Sequence, residues 1–172
     1  MSKIATNAVR LILLTIVCSG AATAAPRAEA TSASAEKSSK KKTHFEKAVE
    51  LYMLGPSKAD EIIQELDLEL AERPENSKAY IIKAMTLMGT RRCAAALKVV
   101  DELHAVPALK GRVFPAALQV RSQCLYDAGK YAEAKAAIEP FREEFQQKEE
   151  WRKEYATLMQ AIEKALRSTP KQ

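Results

Sequence analysis

From Thr43 onward apolar residues recur at helical spacing, and no stretch alternates with the period of two that a strand requires. Phe45, Val49 and Tyr52, with Ala48 and Leu51, predict a first helix over about Thr43 to Leu54, stopped by Gly55-Pro56. Ser57 reads as the cap of a second helix, with Glu61 in its first turn and a stripe of Ile62, Ile63, Leu66 and Leu70 that ends at Arg73-Pro74. A third is expected from a cap at Ser77 to Met88, before Gly89. A fourth covers about Arg92 to His104, with Ala95, Ala96, Val99, Val100 and Leu103 on one side. Pro107 and Gly111 bracket a longer loop. The fifth runs from about Val113 to Ala128, closed by Gly129, and the sixth from Lys130 to about Gln146, with a kink or break expected at Pro140. Trp151, Tyr155, Leu158, Ile162 and Leu166 then mark a last helix over roughly Lys148 to Arg167.

The helical pattern also repeats itself. Tyr80 to Gly89 and Leu118 to Asp127 each carry a basic residue, then a small one, then Leu three positions later. Ala84 of the first copy corresponds to Ser122 of the second, and each is followed twelve positions on by another small residue, Ala96 or Ala134. Val100 and Ile138 match at the same offset, and a fainter copy at Lys47, Ala48 and Leu51 lies close to one such period upstream of the Ala84 unit. Periods of this size mark stacked two-helix units, none of which can bury its apolar face alone, and which expose a long groove rather than a catalytic cleft.

The two ends lie outside this pattern. Lys3 and Arg10, the apolar run Leu11 to Val17 and the small-x-small Ala22-Thr23-Ala24 predict a secretory signal peptide over residues 1–24. Lipoprotein processing at Cys18 is the alternative, against which stands Val17, where a small residue is expected. Residues 25–42 are Ala, Ser, Thr, Glu and Lys with no apolar period, the composition of a disordered tether, and residues 169–172 are expected to be a disordered tail. This division changes the reading of charge. The whole chain is +5 with a pI near 9.1, a value that invites nucleic acid or membrane as partner. Setting aside Lys3, Arg10, Arg27, Lys37, Lys40, Lys41 and Lys42 from 27 basic residues, and Glu29 and Glu36 from 22 acidic ones, leaves 20 of each. The repeat region, residues 43–168, is therefore expected to be near neutral, with no nucleic-acid partner and no stable membrane insertion once the signal is cleaved.

The residues resemble the tetratricopeptide repeat family, whose unit is an antiparallel helix pair of about 34 residues. Tyr80, Ala84, Leu87, Ala96, Val100 and Pro107 fit its pattern, as do Leu118, Ser122, Leu125, Gly129, Tyr131, Ala134 and Ile138. The match is most specific over Tyr126 to Ala134. Lys47, Lys83 and Arg121 depart from it, standing where the family usually has Leu, and the loop from Ala105 to Arg112 is long for it. The resemblance implies an all-α, antiparallel helix-pair solenoid of about three repeats plus a C-terminal capping helix. It also implies a partner-binding face on the first helix of each pair: Phe45, Val49 and Tyr52 from the first, Ile81, Met85 and Met88 from the second, Gln119, Gln123 and Tyr126 from the third. The family's polar clamp for a terminal carboxylate is missing, since Ile81 and Met85 stand in its place.

Little else suggests chemistry. His44 and His104 fall on different helices with no metal-ligand spacing, there is no Gly-rich phosphate loop, and Glu143-Glu144 and Glu149-Glu150 read as helix-surface charge. No enzyme activity, metal or cofactor is expected. In an exported chain Cys93 and Cys124 are expected to pair, because the start of one stacked helix faces the end of the next; two free thiols are the alternative. The expectation is a non-enzymatic adaptor of the bacterial cell envelope, periplasmic or secreted, holding an apolar or amphipathic segment of another envelope protein. The alternative is a structural subunit that self-associates through its C-terminal helix.

Overall fold

The computed structural model describes residues 42–168, so the signal-peptide, Cys18 and tail expectations lie outside the described residues, as does the tether apart from Lys42. Helices α1 (His44–Leu54), α2 (Ala59–Glu72), α3 (Ser77–Gly89), α4 (Cys93–Ala105), α5 (Pro115–Asp127), α6 (Tyr131–Ile138), α7 (Arg142–Gln146) and α8 (Glu149–Ser168) follow one another. Single 3-10 turns at Pro56–Lys58, Pro107–Leu109 and Glu139–Phe141 stand between some of them. Among the described residues there is no strand. The helices pack as adjacent pairs, α1 with α2, α3 with α4 and α5 with α6, and each pair packs on the next. α3 also touches α5, and α8 closes the end against α5, α6 and α7.

The repeat seen in the sequence survives at atomic level. The offset that relates Ala84 to Ser122 also carries both ends of α3 onto those of α5, Ser77 onto Pro115 and Gly89 onto Asp127, and the start of α4 at Cys93 onto that of α6 at Tyr131. The second and third pairs turn through the same hydrogen bonds: Arg92 N–H donates to the Leu87 carbonyl at 2.8 Å and Arg91 N–H to Met88 at 2.9 Å, while Lys130 donates to Leu125 and Gly129 to Tyr126, both at 2.9 Å. This is the Schellman closure of a helix, and it places Arg91 and Gly129 in the left-handed region at φ 62° and 76°. Ala84, Ser122, Ala96 and Ala134 are all buried, which is why those positions must be small. Ser122 shows the contact directly, its hydroxyl donating to the Ala134 carbonyl at 2.8 Å.

Helix starts depart from the reading of the sequence. Ser57 caps nothing, because Gly55-Pro56 initiates a 3-10 turn and α2 begins two residues later. Asn76, not Ser77, caps α3, its side chain accepting from Ala79 N–H. Thr43 and Glu46 form a capping box on α1. The break at Pro140 falls where proline requires it, ending α6 after Ile138 and leaving Arg142–Gln146 as a separate short helix.

Glu69 ties the first pair to the second. Its carboxylate is fully buried on α2 and accepts from Phe45 N–H at 3.1 Å, Arg73 Nη2 at 2.6 Å and Asn76 Nδ2 at 2.6 Å. Those three donors sit at the start of α1, the end of α2 and the cap of α3. One side chain thus satisfies a helix N-terminus and positions the next cap, as a buried carboxylate must to offset its desolvation.

Candidate functional site

The family resemblance assigns the partner-binding face to the first helix of each pair, and the structure divides those nine residues. Ile81 and Met85 are buried, Met85 to 1 % exposure, in the cluster that also holds Leu103 from α4 and Ala116, Ala117 and Val120 from α5. This corrects their assignment to an open strip: the third pair uses these side chains as its own seat, and Ala116 and Ala117 are small enough to let the helices close on them. Phe45, Val49 and Tyr52 stay partly exposed and pack on the first-pair cluster of Ala48, Ile62, Leu66, Ala79 and Ile82, so they do not continue the methionine strip. Met88 is partly exposed at the rim of the central cluster.

The third helix pair presents a different face. Tyr126 lies against the cluster formed with α8, its ring tilted on Tyr131 at 5.4 Å. Gln123 donates to Asp127 at 2.8 Å, and Gln119 lies beside Glu154 of α8, where its side chain partly offsets the burial that raises that carboxyl. α8 is fastened through Tyr155, Leu158, Met159 and Ile162, all buried with Leu118, Ile138 and Phe145. It therefore shields part of α5. Neither Trp151 nor Glu154 is among the site residues expected from the sequence: Trp151 reads there as the first member of an apolar stripe, and nothing marks Glu154.

The basic residues at the family's leucine positions find acids on a neighbouring helix. Lys83 of α3 pairs with Asp67 of α2 at 2.6 Å, Arg121 of α5 pairs with Asp101 of α4, and Lys47 of α1 lies 3.6 Å from Glu65 of α2. Their stems run along the interface and their heads tie one helix to the next. His44 Nδ1 is 2.6 Å from Glu65 and Nε2 is 3.7 Å from Glu72, partners on α2 that linear spacing did not reveal. The hydrogen bond from His44, followed by the charge of Lys47, holds the Glu65 carboxyl below the usual carboxylate range. Burial, with the Arg121 guanidinium nearby, pulls the His104 imidazole down, consistent with an ordinary helix-end histidine. Among the described residues no group of three His, Cys, Asp or Glu side chains is placed to hold a metal ion.

Cys93 at the start of α4 and Cys124 late in α5 stand at disulfide distance, with Cα atoms 5.3 Å apart. The pair spans the joint between the second and third helix pairs, where the connection from Val106 to Phe114 is longest. Two polar atoms on α8, Trp151 Nε1 and Glu154 Oε2, are buried with no hydrogen-bond partner, and so is the Tyr52 hydroxyl on α1. Burial pushes the ionisation of Tyr52 well up and raises the carboxyl of Glu154, which Glu150 raises further. No described helix is long and apolar enough to cross a membrane. No protein-family model, curated protein or solved structure matches the chain.

Proposed function

We propose that the protein is a non-enzymatic adaptor of the bacterial cell envelope, a tetratricopeptide-like solenoid that holds an amphipathic segment of a partner protein along the first helices of its pairs. The observation that carries this reading is the succession α3, α5 and α8, each packed on the one before. Partly exposed apolar groups remain on the first helices of the first two pairs, in Phe45, Val49, Tyr52 and Met88, and polar groups on that of the third, in Gln119 and Gln123. A segment apolar at one end and polar at the other fits this gradient better than the uniformly apolar ligand suggested by Ile81 and Met85. The signal-like leader supports export, and export supports pairing of Cys93 with Cys124.

Site-specific photo-crosslinking tests the reading. A photoreactive residue at Tyr52, Met88 or Gln123 should trap one and the same partner in cells producing the protein, whereas one at Lys98 on α4 should not. Equal trapping from Lys98 overturns the adaptor reading. Self-association through α8 is the second reading, favoured by the partly exposed Leu166 beside a shallow cavity of about 240 Å³ lined by Gly129, Lys130, Tyr131, Ala132 and Glu133. Sizing of the mature chain distinguishes it, since it requires a dimer that Leu166→Glu dissolves.

A further inference from the structure

The near neutrality of the repeat region hides a segregation of charge. Residues 43–76, the first pair and its turns, carry nine Asp and Glu against three Lys and Arg, whereas residues 77–112, the second pair and the loop after it, carry two against seven. Where the pairs meet, Lys83 and Arg92 reach back to Asp67 and Asp60, at 2.6 and 2.9 Å, and Lys42 pairs with Glu50. Those three cations still leave the first pair three negative charges in excess. The same pair holds three of the five large apolar side chains that stand exposed among the described residues: Met53 and Leu54 on α1, at 65 % and 69 %, and Leu68 on α2. Glu46, Glu50, Met53 and Leu54 follow at steps of four, three and one, so acidic and apolar groups share the outward side of α1. Glu72 stands one turn from Leu68 on α2. Terminal units of helical arrays need a polar outer face toward water. α8 covers the far end of this array, and among the described residues no helix precedes α1 to cover the near one.

We infer that the outer side of the first pair, built from Glu46, Glu50, Met53 and Leu54 of α1 with Leu68 and Glu72 of α2, docks a basic amphipathic helix of the partner protein. The apolar stripe of that helix covers Met53, Leu54 and Leu68, and its lysines or arginines take the flanking carboxylates. Lys42 makes the second kind of contact within the chain itself, its ammonium lying 2.7 Å from Oε1 and 2.8 Å from Oε2 of Glu50. A second copy of the chain is a poorer occupant. Two first pairs would oppose like charges, and none of the five exposed large apolar side chains lies on the basic second pair's helices, α3 and α4. An anionic lipid surface is repelled by the excess acid. The inference deepens the adaptor reading and rests on it for the existence of a partner. It gives the segment held a positive charge and a helical apolar stripe, and extends its seat from Phe45, Val49 and Tyr52 onto the outward side of the same helix.

The test titrates the full mature protein into a fluorescein-labelled model helix of leucine and lysine at helical spacing, with the same peptide carrying glutamate for lysine as control. Anisotropy at low salt should show saturable binding of the lysine peptide alone, weakening as salt rises. The double variant Glu50→Lys, Leu54→Ser should weaken that binding about tenfold or more, whereas Glu143→Lys, which makes the same change of charge at an exposed site on α7, should leave it within about twofold. Circular dichroism checks that the double variant folds; should it not, Leu54→Ser alone supplies the comparison, with a smaller loss expected. The assignment is overturned by an absent or unsaturable response, by equal binding of the glutamate peptide, or by an unchanged affinity in the folded variant. An equal loss in Glu143→Lys overturns it too, since the peptide then reads net charge and not this surface. So does a dimer, seen on sizing, that the double variant dissolves while no peptide binds, because the surface then belongs to a second copy. Because the probe is a model peptide, the result is independent of the crosslinking test. Trapping of a partner without peptide binding defeats only the basic-helix assignment, and peptide binding without trapping defeats only the adaptor.

Discussion

The second and third helix pairs share a backbone and differ in what covers it. α3 and α5 have the same length and the same closing turn at corresponding positions of the repeat, so Ile81, Met85 and Met88 of the one match Gln119, Gln123 and Tyr126 of the other. In the second pair the corresponding face lies under the third pair and is apolar. In the third it lies under α8, which covers it incompletely, and it is polar. The repeat therefore specifies geometry, and burial by the next unit selects the side chain at each position of that geometry. A first-helix residue becomes core where its neighbour closes down and stays partly exposed where it does not.

The largest effect expected from this contrast is at its centre. Met85→Glu places a carboxylate in a cluster with no cation to receive it and should lower stability by about 3–5 kcal/mol. Gln123→Glu, the matching substitution in the next pair, should change it by less than about 0.5 kcal/mol, because that side chain is partly exposed. Urea denaturation followed by circular dichroism measures both. Equal effects at the two sites would remove the distinction between a covered and an uncovered face.

Next in size is the joint between the pairs. If Cys93 and Cys124 are linked, replacing both by Ser should cost about 3.5 kcal/mol, the chain-entropy value for closing the loop between them. Non-reducing peptide mapping should recover the linked peptides. Two free thiols titrated in denaturant without reductant would show that packing alone holds the second pair to the third.

How much of this was legible follows the same division. The helices, the small residues at the close contacts and the break at Pro140 are local or periodic properties, and the sequence displays them directly. The approach of Cys93 to Cys124 was legible because antiparallel stacking brings a helix start to the preceding or following helix end. The burial of Ile81 and Met85 was not, since it depends on how tightly α5 settles on α3, and that turns on Ala116 and Ala117, residues without any chemical signature. Glu69 was equally hidden: its three donors come from the α1 start, the α2 end and the α3 cap, a convergence that exists only in three dimensions.

The corresponding turns offer a smaller test. Arg91 occupies the left-handed region that Gly129 occupies in the third pair, and an L residue there carries a cost of about 1 kcal/mol. By the same principle Arg91→Gly should stabilise the protein by about 1 kcal/mol, and Gly129→Ala should destabilise it by about as much. A Cβ at Gly129 meets nothing within 4 Å, so the second change tests the backbone alone. Differential scanning calorimetry resolves shifts of this size. A loss of stability in Arg91→Gly would mean that the arginine side chain contributes more at this turn than its backbone strain costs.

The smallest expected effect concerns the cover itself and appears as a dependence on pH. Burial, and then Glu150, raise the Glu154 carboxyl above its value in the unfolded chain, so the folded state binds its proton more tightly. The stabilisation from this group is full below the unfolded value and is lost as pH rises through the folded one. Glu65 runs the other way: its carboxyl is lowered, so its contribution is present above the unfolded value and is lost as pH falls through the folded one. Replacing Glu154 by Gln should thus leave the acid limb, to which Glu65 and Glu46 both contribute, in place, flatten the decline on the side toward neutrality, and slightly raise stability at neutral pH. Melting curves of the wild type and the variant between acidic and neutral pH measure the difference. Parallel curves would mean that α8 meets α5 without an electrostatic penalty, and that the incomplete cover over the third pair is set by shape alone.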